Sequence, residues 1–221
     1  IYLSVIAALL TVLSAHQHRF QREIGQIAAW PRHVARNPRA AVSEILLQVS
    51  ALLDAPTILL AWDEAGEGNV KLAWLKAGEI KWAEGSKADY DPLVLPSLKG
   101  KSFQASDAAK DQGLVVVRSA QGFRRRDGRP INEALRARFQ IRAVQSWSID
   151  GELVRGRMFC VNKMRMGIDE LVVGELVAGQ VASRLAVGAG GPPRVPPRGS
   201  PWALPRGSSR RKPPSRRARK R

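Results

Sequence analysis

The chain has 221 residues, 36 Lys and Arg against 19 Asp and Glu, a formal charge of +17, one Cys and 44% apolar residues. That apolar fraction supports a buried core and excludes wholesale disorder. A single Cys excludes an intrachain disulfide scaffold and a multi-Cys zinc site. The excess charge is localised: residues 1–187 carry 25 basic and all 19 acidic residues, whereas 188–221 carry 11 basic and none acidic.

Residues 1–15 are apolar except for Ser4, Thr11 and Ser14, and the chain opens on Ile1. As a helix the run would cover about 22 Å at about 1.5 Å per residue, short of the roughly 30 Å hydrocarbon core of a bilayer. A truncated transmembrane helix is the expectation, with a buried core helix and a signal-peptide segment as the alternatives. His16, His18, Arg19 and Arg22 follow at once, the basic flank of a cytoplasmic side. Residues 16–38 read as a juxtamembrane connector, in which Phe20, Ile24 and Ile27 continue a helical stripe that Trp30-Pro31 ends.

Asn37-Pro38 then signals a helix start, and Val42, Ile45, Leu46, Val49, Leu52 and Leu53 fall on one face of a strongly amphipathic helix. Asp54-Ala55-Pro56 breaks it. Thr57 to Trp62, Val70 to Leu75 and Glu79 to Trp82, separated by turns at Gly66 and Gly68 and at Ala77-Gly78, predict a meander of antiparallel strands. Residues 83–113 predict loops and short helical turns. Leu114 to Val117 predicts a strand, and Gly122 to Pro130 (GFRRRDGRP) a loop. Ile131 to Arg138 predicts a short helix. Phe139 to Ile149 alternates Phe139, Ile141, Ala143, Gln145, Trp147 and Ile149 on one face. Asp150-Gly151 is a turn dipeptide behind it, with Arg157 to Val161 as the second arm of a hairpin. Ile168 to Val187 closes the domain as an apolar helix with Asp169 and Glu170 in its first turn, where the helix dipole favours negative charge. The order predicts an α+β domain at 39–187 on an antiparallel sheet, with the first and last helices on one face.

The run IRAVQSWSIDGELVRGRMFCVNKMRMGIDELVVGELVAGQVASRL, from Ile141 to Leu185, resembles the C-terminal half of a GAF domain. Gly156 matches the glycine that opens the last strand, Asp169 the acid at the helix start, and Gln180 the glutamine within that helix. Ala40 to Trp82 matches in outline. The succession of membrane helix, basic connector and GAF domain resembles the input half of bacterial membrane-bound sensor histidine kinases. That resemblance implies a sensory module at the inner membrane, with its domain in the cytoplasm, that binds a small ligand of unspecified identity or forms a homodimer with a second copy, and signals through its flanking helices. The kinase core is absent: no R-D-L-H-D context surrounds His16, His18 or His33, and no Gly-rich nucleotide loop follows, so no catalytic residue is expected in this chain.

Other side chains could carry chemistry. Cys160, in the apolar run Met158 to Val161, could be a redox thiol or a chromophore anchor, but its surroundings favour a structural cysteine. Asn162-Lys163 with Asp169-Glu170 resembles the Asn-Lys…Phe…Asp-Glu signature of cyclic-nucleotide-binding GAF domains. Here the Phe is missing, Met166 lies near its place and the spacing is one residue short. In that family the Lys and Asp tie the last strand to the last helix. Arg124, Arg125, Arg126 and Arg129 form a basic segment that would suit an anion or a solvated loop. Trp74, Phe103 and Trp147 could line a pocket or fill a core. No metal-ligand, paired-carboxylate or Ser-His-Asp constellation stands out.

The segment 188–221 holds 8 of the 14 prolines and cannot bury enough apolar surface to order itself. Three readings stand for this tail: a basic arm for nucleic acid or anionic lipid, an inert linker, and an out-of-frame translation of GC-rich DNA. Nucleic-acid or lipid binding through it is the alternative to the sensory function.

Overall fold

The computed structural model describes residues 37–188, apart from 65–67, 111–112, 120, 152 and 165. The expected membrane stub, almost all of the connector and the basic tail lie outside these residues. Among the described residues no helix is long and apolar enough to cross a membrane.

Helix α1 (Pro38–Leu52) starts where Asn37 accepts the Arg39 amide on its side chain at 2.9 Å, with proline in the first turn. Its stripe of Val42, Ile45, Leu46 and Val49 is buried. At its end Asp54 takes a positive φ, and the Ser50 hydroxyl donates to the Ala55 carbonyl at 2.7 Å, turning the chain into the sheet. Strand β1 (Thr57–Glu64) is buried on both faces, which is why its sequence TILLAW is continuously apolar rather than alternating. Strands β2 (Asn69–Lys76) and β3 (Glu79–Ser86) form a hairpin joined by Ala77-Gly78, both at positive φ, the geometry that matches strand twist in a two-residue turn.

The stretch after β3 contains a short helix α2 (Lys87–Tyr90), a 3-10 turn (Pro96–Leu98) and strand β4 (Phe103–Ala105). Strand β5 (Leu114–Ser119) pairs with β6 (Gly122–Asp127), followed by α3 (Glu133–Phe139), β7 (Val144–Asp150), β8 (Val154–Val161) and α4 (Ile168–Gly188). The eight strands form one antiparallel sheet in the order β3-β2-β1-β8-β7-β4-β5-β6.

Three elements differ from the sequence expectation. The segment GFRRRD is an edge strand rather than a loop, held by its full register with β5 although all six of its residues are exposed. Residues 103–105, expected in a loop region, pair with both β5 and β7. Phe139 belongs to α3, not to the following strand, because Gln140 ends that helix in the left-handed conformation and pairing begins only at Val144.

The sheet separates two cores. Ile58, Leu60, Trp62, Trp147, Met158 and Cys160 face α1 and α4. Leu59, Leu72, Phe103, Val117 and Phe159 face α2, the 3-10 turn and α3, through Tyr90, Leu98 and Leu135. Both long helices thus pack on one face, as the sequence order predicts. At Gly156 β8 lies tight against β1: a Cβ there would lie 2.2 Å from the Ala61 carbonyl oxygen. The backbone approach, rather than a turn, demands that glycine.

Candidate functional site

The sheet face opposite the long helices carries the chemically unusual positions. Alternation along β8 puts Arg155, Arg157 and Phe159 on this face, and β7 adds Ser146 and Ser148. The chain from Lys87 to Lys101 crosses over them. Arg157 is only 4% exposed. Its Nε donates to the Ser146 hydroxyl at 3.0 Å, one terminal nitrogen donates to the Leu98 carbonyl at 3.0 Å, and the other donates to the Lys101 carbonyl. The guanidinium carbon lies 5.2 Å from the centre of the Phe103 ring. Its acceptors are neutral, and among the described residues it makes no ion pair. Burial pushes the guanidinium down to about 10, which leaves it charged at neutral pH.

Arg157, almost wholly buried, is among the residues lining a cleft of about 390 Å³, together with the more exposed Asp63, Lys87, Asp91, Lys99, Asp150 and Arg155. The volume falls within the roughly 300–1,000 Å³ of small-molecule sites. At the rim Lys87 Nζ sits 2.7 Å from Asp63 Oδ2, and this hydrogen bond raises the lysine above its usual range. Arg155 and Asp150 approach to 4.0 Å at the hairpin end. Tyr90 anchors the overlying segment, its hydroxyl accepting from Arg138 at 2.8 Å. A second groove, of about 510 Å³, lies between α1 and the β1–β3 edge against Arg39, Trp62 and Trp82, where Trp62 and Trp82 meet edge to face at 6.3 Å.

The aromatic candidates do not meet in one pocket. Trp147 is buried on the helix side, its indole donating to the Leu171 carbonyl at 3.0 Å. Phe103 is buried on the other face beneath Arg157. Trp74 is half-buried against Phe139 with ring centres 5.1 Å apart, and Arg138 lies over it.

The basic candidates are dispersed as well. Arg124, Arg125 and Arg126 alternate along the exposed edge strand, and Arg126 borders a shallow groove of about 210 Å³. Arg129 pairs with Glu133 at 3.0 Å.

The Asn-Lys…Asp-Glu residues act as a tie. The Asn162 side chain accepts the Arg142 and Ala143 amides at 2.8 and 3.1 Å and donates to the Gln140 carbonyl, fixing the entry to β7. Lys163 bonds Glu170 at 2.8 Å and the Leu53 carbonyl, so β8, the start of α4 and the end of α1 are joined. The carboxylate in that ion pair is Glu170's, one residue beyond the Asp that the resemblance implied. Gln180 is exposed on α4. Cys160 faces the helix-side core, where burial pushes its thiol up to about 12. This sole cysteine of the chain neither reaches the cleft nor ionises at neutral pH. The three histidines precede the described residues.

From the sequence alone Arg157 is only the first residue of a predicted strand arm. The available signal was a basic residue at an alternating position within the apolar run VRGRMFCV.

No protein-family model matches the sequence, and no curated protein does. Solved structures match in shape. One is the phycocyanobilin-bound GAF domain of a cyanobacterial phytochrome, at 14% identity and a TM-score of 0.52, over 78% of this chain and 94% of that one. Another is the phycoerythrobilin-bound GAF domain of a cyanobacterial phytochrome, at 12% identity and a TM-score of 0.51, over 78% of this chain and 95% of that one. The antiparallel sheet with its two long helices on one face and a cleft on the other is therefore a GAF fold.

Proposed function

We propose that the chain is a GAF-type sensory module, the input half of a bacterial membrane-bound sensor histidine kinase. In this reading its domain lies in the cytoplasm, tethered through the N-terminal segment. It works as a homodimer and binds a small ligand. One observation carries this reading: the helices that open and close the domain, α1 and α4, lie together on one face, and the cleft lies on the other. Strand β8 connects the two sides, since Arg157 faces the cleft while its neighbour Met158 packs toward the helices. A ligand that moves β8 would therefore act on α1 and α4, whose outer ends lead to the flanking segments.

The surface of this helix pair suits association with a second copy. Leu47 on α1 and Leu176 on α4 are both about half exposed, at 51% and 46%. Light scattering of the wild-type chain should give a dimer, and Leu47→Glu with Leu176→Glu should give a folded monomer. A wild-type chain that stays monomeric at high micromolar concentration would exclude signalling by dimerisation.

A further inference from the structure

We infer that the cleft under Lys87–Lys101 is a receptor site for a small molecule with a single carboxylate, a free amino or hydroxy acid, whose carboxylate pairs with Arg157. This rests on the ligand-responsive reading above and names the ligand class of its cleft.

A buried guanidinium normally pairs with a carboxylate, because neutral acceptors alone recover only part of its lost hydration. Arg157 has three neutral acceptors and an aromatic face, and among the described residues no ion pair. Those contacts hold the planar fork in place with three of its five N–H donors, leaving two for a ligand and the charge uncompensated, and Arg157 is among the residues lining a cleft large enough for a small molecule. A carboxylate matches that fork in charge and geometry.

The rim sets the rest of the ligand. Asp63 is neutralised by Lys87 at 2.7 Å, and Asp150 faces Arg155. Lys99 and Arg157 then stand against Asp91. The cleft therefore carries a small positive excess with one carboxylate at its mouth. A nucleoside triphosphate would bring several negative charges against this small positive excess and would meet Asp91, unpaired among the described residues, at the mouth. A monocarboxylate with a hydroxyl or ammonium group can place that donor toward Asp91 while its carboxylate reaches inward.

The test is NMR titration of the full chain, following the Arg157 Nε–H resonance and the Gly100 and Gly156 amides. The probes are free L-amino acids, short hydroxy acids, acetate, inorganic phosphate and chloride. At least one amino or hydroxy acid should give a saturable shift at Arg157, with acetate weaker. Asp91→Asn, a rim change outside the hydrogen-bond framework of Arg157, should weaken the preferred acid about tenfold, the effect of losing one bond to a charged group. Arg157→Lys should abolish binding. If that variant unfolds, the Asp91→Asn margin alone decides. Equal shifts with phosphate and chloride would mean an adventitious ion only and would overturn the proposal, as would silence from every carboxylate. Saturable shifts confined to the groove at Arg39 and Trp82 would overturn this site and leave the sensory reading standing. Arg157 binding in a chain that never dimerises would do the reverse.

Discussion

The two faces of the sheet are built on different terms. On the helix face the charged side chains are paired, Lys163 with Glu170 and Arg118 with Glu175, and the fully buried polar ones are neutral and answer one another: Gln145 donates to Gln104 at 3.1 Å and to the Gly167 carbonyl at 3.0 Å, and Gln104 donates to the Met166 carbonyl. Trp147 is likewise closed by the Leu171 carbonyl. Such fully satisfied groups fix where α4 begins and add no unbalanced charge. The opposite face buries a cation among carbonyls and one hydroxyl, beside a cleft. Stability alone would favour an apolar residue there. The difference assigns packing to one face and recognition to the other.

The comparison breaks most severely at Trp147. Trp147→Ala would empty the centre of the helix-side core and remove the bond to Leu171, at a cost of about 3–5 kcal/mol. Urea denaturation should show that loss, with the cleft side losing structure in the same transition because the faces share every strand. A loss below about 1 kcal/mol would mean that α4 is not held by this core.

Arg157→Met makes the complementary test. It removes an uncompensated buried charge, which is favourable, and leaves the Lys101 carbonyl without its arginine donor, while the Leu98 carbonyl keeps the Lys101 amide at 3.1 Å; the lost bonds cost about 1–3 kcal/mol. The net change should therefore be smaller than at Trp147, with the segment from 93 to 101 exchanging its amides faster. If Arg157→Met were as damaging as Trp147→Ala, the arginine would be a structural keystone of the fold, and the contrast between the faces would be lost.

How far the sequence shows this contrast depends on where each signal resides. Helix α1, strand β1 and helix α4 bury continuous or periodic apolar stripes, so their residues announce them. Strand β6 does not, because GFRRRD offers no apolar face and is held through backbone pairing with β5. The apparent alternation beginning at Phe139 is accidental: the Asn162 side chain, 19 to 20 residues further along, takes the Arg142 and Ala143 amides and turns the chain there. Arg157 is hidden for a related reason. Two of its three partners are main-chain carbonyls 56 and 59 residues away, and carbonyls carry no residue-type signature.

The smallest effect is expected at Cys160, and it sharpens the comparison by showing that the helix face is chemically silent. The thiol is buried against α1 and α4, and burial raises it from 9.0 to about 12. At pH 8 a thiol reagent should therefore modify the native chain only through opening of that core, at a rate that rises when Trp147→Ala lowers the cost of opening. The pH dependence has a definite sign. Between about pH 9 and pH 12 the unfolded chain has lost the thiol proton and the folded chain has kept it, so this group makes stability fall as pH rises. Cys160→Ala should remove that component of the alkaline slope while leaving Arg157 and its cleft untouched. Rapid native labelling at pH 8 would show instead that α4 lifts readily from the sheet, and the helix face would then be the mobile, responsive one.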